Sequence, residues 1–160
     1  MILDNYNQFL DKIMQKIGEL GIDVSKLNLD HIGYQAESNE DYDNLKTQFA
    51  EIGVEMPESI VGGRRVAVYE LKTPLKYKQY IIPAIELVAP KEGQVCLSVL
   101  EHAEFVIDED FESFTNRYPD LSWDKSKVNQ PKFPMVTLKL DDNLQVKFHY
   151  KPVLEIVKQK

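Results

Sequence analysis

Two short stretches of the same design decide the fold: "LDHIGYQ", residues 29–35, and "LEHAEFV", residues 100–106. Each has a leucine, an acidic residue and a histidine in succession, and two of the chain's three histidines lie in them, 71 residues apart. Behind each stretch, aromatic and aliphatic residues recur at steps of three, four and three, which is typical of an amphipathic helix. Because the strand pattern and the helix pattern recur together, the sequence predicts an internal repeat.

The repeated unit also predicts the fold class. After its helix, each unit continues into strand-like segments separated by turn signals, Gly62 and Gly63 in the first unit and residues 141–143 in the second. We predict a single α+β domain in which an N-terminal helix and two paired βαβββ modules form a curved, partly open barrel. The predicted segments are an N-terminal helix (1–24), a first module (25–93), a second module (94–152) and a C-terminal tail (153–160).

The amino-acid composition limits the kinds of binding partner and the compartment that we expect for this protein. The formal net charge is -7, and because an acidic protein repels phosphate groups, nucleic acid is not an expected partner. No apolar run is long enough to span a bilayer, so a membrane is not expected either. The single Cys96 fits a reducing compartment, and the sequence predicts a cytoplasmic protein. The amphipathic helix at residues 4–20 is expected to cover a strand edge or to help form a homodimer.

Alternation along the strands predicts which side chains face the inside of the barrel. In the first stretch it places Leu29 with His31 on one face and Asp30 with Ile32 on the other. Glu86, near the end of the first module, is predicted to point inward.

The end of the second module contributes inward-pointing residues as well, Lys147 and His149. Aligning the two modules by their faces pairs Glu86 with His149, whereas aligning them by the prolines that follow pairs Glu86 with Phe148. A one-residue slip turns every side chain to the other face, while a bulge absorbs one residue at small cost. We therefore prefer the alignment by faces.

Four side chains with metal-binding atoms are thus expected on the inner face: His31, Glu86, His102 and His149. Imidazole nitrogen and carboxylate oxygen are the usual ligands of zinc, iron, manganese, cobalt and nickel. A divalent ion held in this way, with positions left open, polarises a substrate oxygen or activates water or dioxygen.

Five phrases in the same order resemble the YecM family of bacterial proteins: "LDHIGYQ", "GGRRVAVYEL", "PAIELVAPKEG", "LEHAEFV" and "VKFHYKP". That family belongs to the vicinal oxygen chelate superfamily, together with glyoxalase I, extradiol dioxygenases, fosfomycin-resistance proteins and methylmalonyl-CoA epimerase. The resemblance runs from about residue 27 onward and implies paired βαβββ modules around a divalent metal. It places the ligands at a histidine on the first strand and a glutamate on the last strand of each module. At these positions the chain has His31, Glu86, His102 and, in place of the second glutamate, His149.

Other polar residues near these ligands are candidates for catalysis and substrate binding. Glu104, two residues after His102, is a candidate general base. Arg64 and Arg65 follow the glycine turn and could clamp a substrate carboxylate or phosphate, since a guanidinium group binds such groups through two hydrogen bonds. Gln35 and Lys147 are predicted to face inward and to contact the substrate.

These residues lead to one functional hypothesis and two alternatives. The hypothesis is a divalent-metal-dependent enzyme of the vicinal oxygen chelate type, acting on a small oxygenated metabolite as an isomerase, lyase or dioxygenase-like enzyme. The first alternative is a metal-free protein that binds a small molecule in the same cup, the space enclosed by the inner face of the barrel. The second is an interaction protein with a vestigial site. Fold does not decide between these chemistries.

Overall fold

Four helices and eight strands make up residues 3–159, the part of the chain that the computed structural model describes. The helices are α1 (Tyr6–Glu19), α2 (Asn39–Ile52), α3 (Phe111–Asn116) and α4 (Val153–Lys158). The strands are β1 (Asn28–Gln35), β2 (Gly53–Glu55), β3 (Ser59–Val61), β4 (Arg64–Tyr77), β5 (Tyr80–Val88), β6 (Val99–Val106), β7 (Val136–Asp141) and β8 (Leu144–His149). All of them join one sheet in the order β2-β4-β5-β1-β6-β8-β7, with β3 paired to β4.

Two similar halves meet at the centre of the sheet, where β1 and β6 pair antiparallel. In each half the first strand pairs in parallel with the last, β1 with β5 and β6 with β8. In the second half an isolated bridge between Asp124 and Thr137 stands where β2 pairs with β4 in the first. The predicted fold class is confirmed. The segment boundaries stay predictions, and their outermost residues, 1, 2 and 160, lie outside the described residues.

Capping side chains begin the two helices that follow the repeated strands. Ser38 accepts a hydrogen bond from the backbone N–H three residues on (2.9 Å), and Asp110 does the same for α3 (2.7 Å). In the second unit the spacing of Phe111, Phe114, Tyr118 and Leu121 predicts a helix as far as residue 121, and this is wrong, because α3 ends at Asn116. Pro119 explains the early end, since proline disfavours helical backbone in the residue before it, Tyr118.

Most of the apolar core lies on the face of the sheet that α1, α2 and α3 cover. The opposite, inner face carries a smaller apolar cluster that includes Val68, Ala84 and Met135 from the sheet region and Val153 and Val157 from α4. The C-terminal helix therefore packs against the inner face. At the end of this helix, Lys158 forms an ion pair with Glu70 of β4, with Nζ 3.1 Å from both carboxylate oxygens.

No helix within residues 3–159 has the length and hydropathy of a membrane span. The longest, α1 and α2, have 14 residues each. At a rise of about 1.5 Å per residue they are shorter than the hydrocarbon core of a bilayer, which is about 30 Å thick.

The N-terminal helix is expected to be part of the folded core. Ile13 is 0 % exposed on α1, so the substitution Ile13→Ala should lower the free energy of unfolding by about 2–5 kcal/mol. The matched control is Ile81→Ala on β5, where the side chain is 62 % exposed, and here the loss should stay within about 1 kcal/mol. Urea unfolding of both variants checks this, and equal losses would contradict the packing of α1.

Candidate metal centre

Two β-bulges at the centre of the sheet set the directions of the histidines. The pairing of β1 with β6 shifts register twice, and at each shift one residue has no partner on the opposite strand. These extra residues are Asp30 in β1 and Glu101 in β6. A bulge interrupts the alternation of side chains, so that two successive residues can point to the same face. Each acid therefore lies on the same side as the histidine that follows it.

The bulge at Asp30 overturns part of the alternation that the sequence predicted. Leu29 packs in the core under the helices together with Ile32, and not on the face of His31. Asp30 contacts the His31 ring and so lies on the inner face. Strict alternation was wrong here because it allowed no extra residue in the strand.

Each acid orients the imidazole beside it. Asp30 Oδ2 is 2.7 Å from Nδ1 of His31, and Glu101 Oε1 is 3.1 Å from Nδ1 of His102. When Nδ1–H donates to the carboxylate, the neutral ring turns the lone pair of Nε2 toward the site. Histidines that bind metal ions are usually held in this way.

Glu86 lies between the two oriented histidines. Its Oε1 is 3.2 Å from Nε2 of His102, and its Oε2 is 3.7 Å from Nε2 of His31. One ligand atom from each of the three residues lies within 4.8 Å of the others. Atoms bound at about 2.1 Å to a common ion lie about 3.0–3.4 Å apart, so a small closure of this group would accommodate one divalent ion.

The Nε2 atoms of the two histidines are also free to bind a metal ion. Nε2 of His31 and Nε2 of His102 are buried and have no hydrogen-bond partner among the described residues. A buried polar atom without a partner is costly, and a metal ion would satisfy both atoms. The donor set of two imidazoles and one carboxylate fits such an ion.

The protonation of Glu86 is consistent with this role. Burial alone would raise the pKa of Glu86, but the close approach of His102, with His31 and the charge of Lys147 nearby, holds it well below its usual range. The carboxylate is therefore ionised at neutral pH, as a metal ligand must be.

The register of the sheet identifies the residue of the second half that is equivalent to Glu86. The residue two positions after the first histidine lies opposite Glu86 in β5, and the residue two positions after the second histidine lies opposite Lys147 in β8. Lys147 is therefore the equivalent residue, and the predicted pairing of Glu86 with His149 is wrong. Lys147 and His149 are two residues apart and share a face, so the face pattern could not separate them.

His149 belongs to a second group of side chains. Its Nε2 is 3.2 Å from Asp30 Oδ2, and its Nδ1 is 3.0 Å from Glu104 Oε2, which is also 3.6 Å from Nε2 of His31. These four residues could hold an ion by spacing alone. Burial alone would lower the pKa of His149, but Glu104 and Asp30 raise it to about 10. Both ring nitrogens of His149 are directed at these two carboxylates and not at Glu86, so we interpret this group as support for His31.

The predicted substrate contacts divide between the two faces of the sheet. Gln35 donates to the backbone oxygens of Ala36 (2.9 Å) and Val88 (3.3 Å), and its amide oxygen accepts from Arg64 (3.5 Å). Arg64 and Lys147 line a pocket that also reaches Glu86.

Arg65 lies on the helix-covered face and outside this pocket. Its guanidinium group donates to Asp43 (2.7 Å) and Glu58 (3.1 Å) and stacks 4.3 Å from the centre of the Tyr42 ring. These contacts occupy its donors, and the structure does not bring Arg65 to the predicted site.

The sheet has the vicinal oxygen chelate fold, as comparison with solved structures shows. A methylmalonyl-CoA epimerase in complex with methylmalonyl-CoA and NH4+ superimposes with a TM-score of 0.52 at 11% identity, over 79% of this chain and 96% of that one. A variant of the Streptomyces coelicolor methylmalonyl-CoA epimerase, in complex with 2-nitronate-propionyl-CoA, gives 0.53 at 12% identity, over 80% of this chain and 98% of that one.

Within this fold the chain belongs to the YecM family, whose model, described as YecM protein, matches residues 1–160. Protein YecM of Escherichia coli (strain K12) is 25% identical over 170 residues, 98% of this chain and 90% of that protein. An uncharacterized protein of Haemophilus influenzae is 28% identical over 132 residues, 78% of this chain and 69% of its own length. The structure of protein EC4020 superimposes with a TM-score of 0.78 at 24% identity, over 99% of this chain and 91% of that one. The predicted resemblance is confirmed.

Gly33 provides a test of the site geometry. It lies opposite Glu86 on one side and His102 on the other, and a Cβ there would come within 2.0–2.5 Å of the His102 ring. The substitution Gly33→Ala should therefore displace the ring and lower the free energy of unfolding by about 1–3 kcal/mol. The control is Gly18→Ala in α1, where no atom lies within 4 Å and helix propensity favours alanine by up to about 1 kcal/mol. Denaturant unfolding should shift in opposite directions, and a stabilising Gly33→Ala would contradict the placement of the His102 ring.

Proposed function

We propose that this chain is a divalent-metal-dependent enzyme of the vicinal oxygen chelate type that acts on a small oxygenated metabolite, as an isomerase, lyase or dioxygenase-like enzyme. The observation that carries the proposal is the convergence of His31 Nε2 and His102 Nε2 on Glu86, each ring backed by its own carboxylate. Zinc, iron, manganese, cobalt and nickel all accept this donor set.

The proposed site leaves room for a substrate. Three protein ligands do not fill the coordination sphere of a divalent ion, which when bound would act as a Lewis acid toward the substrate oxygens and stabilise a developing oxyanion or enolate. The part of the protein is to fix the ligands, and the bulged acids do this by holding the two imidazoles from behind.

Glu104 contributes to this positioning. Burial alone would raise the pKa of Glu104, but the charges of His149 and His31 outweigh burial and hold the pKa well below its usual range. The carboxylate is therefore ionised. Its Oε2 lies 3.0 Å from His149 and 3.6 Å from His31. A carboxylate held so firmly in its ionised form is a weak base, so we assign Glu104 to the support of His31 and not to the general-base role predicted from the sequence.

One observation favours the metal-free alternative. The position equivalent to Glu86 holds Lys147, whose ammonium group repels a cation and attracts an anion. On this alternative the same cup binds a small anionic molecule without catalysis.

For either function the cytoplasmic location stays a prediction that rests on the single free Cys96, and the homodimer stays a prediction as well.

Metal binding tests the proposed function directly. Protein isolated without chelator should carry one divalent ion per chain, and chelator-treated protein should rebind Zn²⁺ or Ni²⁺ in calorimetric titration. The substitution Glu86→Gln removes the only carboxylate ligand of the three and should weaken binding at least tenfold, a change of about 1.4 kcal/mol.

The matched control is Glu112→Gln on α3, where the side chain is exposed and lies in the first turn of the helix. This variant should bind the ion as the unaltered protein does. If the unaltered protein binds none of Zn²⁺, Mn²⁺, Fe²⁺, Co²⁺ and Ni²⁺, the enzyme proposal fails and the metal-free alternative takes its place.

The carboxylates behind the histidines should affect the same measurement. The substitution Glu101→Gln removes the charge that orients His102 and should reduce metal affinity by about 10–100-fold. Its free energy of unfolding should also fall by about 1–3 kcal/mol, because Glu101 is buried and its charge is paired with the buried His102 ring. An unaltered metal affinity would show that the pair of Glu101 and His102 has no part in binding.

A further inference from the structure

Four cationic side chains line a narrow pocket beside Glu86: Arg64, Lys91, Lys127 and Lys147. Glu86 is the one carboxylate among the described residues that line it. The cavity volume is about 30 Å³, which admits a single small functional group and not a whole metabolite. Since the formal net charge of the chain is -7, this is a local reversal of its overall charge.

Lys147 is the central member of this group. It is 5 % exposed and makes no hydrogen bond or ion pair with any described residue. Its charge lowers the pKa of Glu86 and of Glu101, but neither carboxylate lies within ion-pair distance of it. The ammonium group therefore has no partner among the described residues, and an anion in the pocket would supply one.

The other cations at the pocket are also without acidic partners. Among the described residues, Arg64 has one polar side-chain contact, at 3.5 Å to the amide oxygen of Gln35. Lys91 and Lys127 have no ion pair within residues 3–159. The next residue in the chain, Arg65, has two carboxylate partners on the other face, whereas the four cations at the pocket have only the carboxylate of Glu86 among the described lining residues.

The four cations are close enough to act on one another. Burial first, and then the charges of Lys147, Arg64 and Lys91, lower the pKa of Lys127. The opposing charge near it is Asp124, which is exposed and accepts hydrogen bonds from the backbone and hydroxyl of Ser126. Within residues 3–159, the repulsion among the four cations is therefore only partly balanced, by the one pocket carboxylate of Glu86.

We propose that this pocket binds the anionic head group of the substrate, a carboxylate or a phosphate, next to the candidate metal centre. This inference names the substrate class and rests on the proposed function, although the pocket can bind an anion without a metal. Lys147 would contact the anion from β8, and Arg64 would present two donors to it from β4. Lys91 and Lys127 reach the same pocket from loops and add to its positive potential.

The test is a titration of the full chain after chelator treatment, so that it does not depend on a metal. Inorganic phosphate and succinate serve as the two probes, at constant ionic strength, with amide chemical shifts in NMR as the readout. At least one probe should bind saturably, and the tighter one identifies the head group. The substitution Lys147→Met should raise Kd at least tenfold, and Lys127→Met should raise it severalfold.

The control is Lys139→Met on β7, where an exposed lysine pairs with Asp142, and Kd should not change there. Lys147→Met should also raise the midpoint of thermal unfolding, since it removes one of the mutually repelling cations; a purely structural lysine would give the opposite result. If that variant does not fold, Lys127→Met decides. Absence of saturable binding, or an equal Kd for the lysine variants and the unaltered protein, overturns the inference. Zn²⁺ titration of the same samples keeps the outcomes separate, because anion binding without metal binding defeats only the enzyme proposal.

Discussion

The antiparallel pairing of β1 with β6 is the constraint on which the site depends. Each strand contains one residue too many for regular pairing, and the two extra residues are the acids directly before the paired histidines. Without the bulges, each acid would lie on the face opposite its histidine and could not reach the ring. The interruption of the ladder thus brings a ligand and its orienting carboxylate to one side, once in each half.

Charge balance explains why the inner face can contain so many ionisable groups. Three imidazoles meet four carboxylates there, and buried charges are tolerated only when they are paired. His149 carries a proton and neutralises part of this negative charge between Asp30 and Glu104. Among the described residues no lysine or arginine pairs directly with Glu86, and a divalent ion would supply positive charge there.

Sequence patterns predicted the repeat, the fold class and the three residues His31, Glu86 and His102, because these follow from periodicity and from residue type. The patterns failed where a single residue changed the register. The bulge at Asp30 moved Leu29 to the core. Lys147 and His149 share a face, and only the pairing of β6 with β8 shows that Lys147 stands where His149 was expected. The acid before each histidine was a visible signal whose meaning needed the bulge. Lys91 and Lys127 lie in loops, and no local pattern indicates that they meet at one pocket.

The difference between Glu86 and Lys147 has a consequence for how a molecule could sit in the cup. Two duplicated halves with identical inner faces would present nearly the same surroundings to a guest turned end over end. With a carboxylate on one last strand and an ammonium group on the other, the two orientations are no longer equivalent. For a guest with one anionic end, the unequal ends of this otherwise repeated scaffold would favour one orientation over the other.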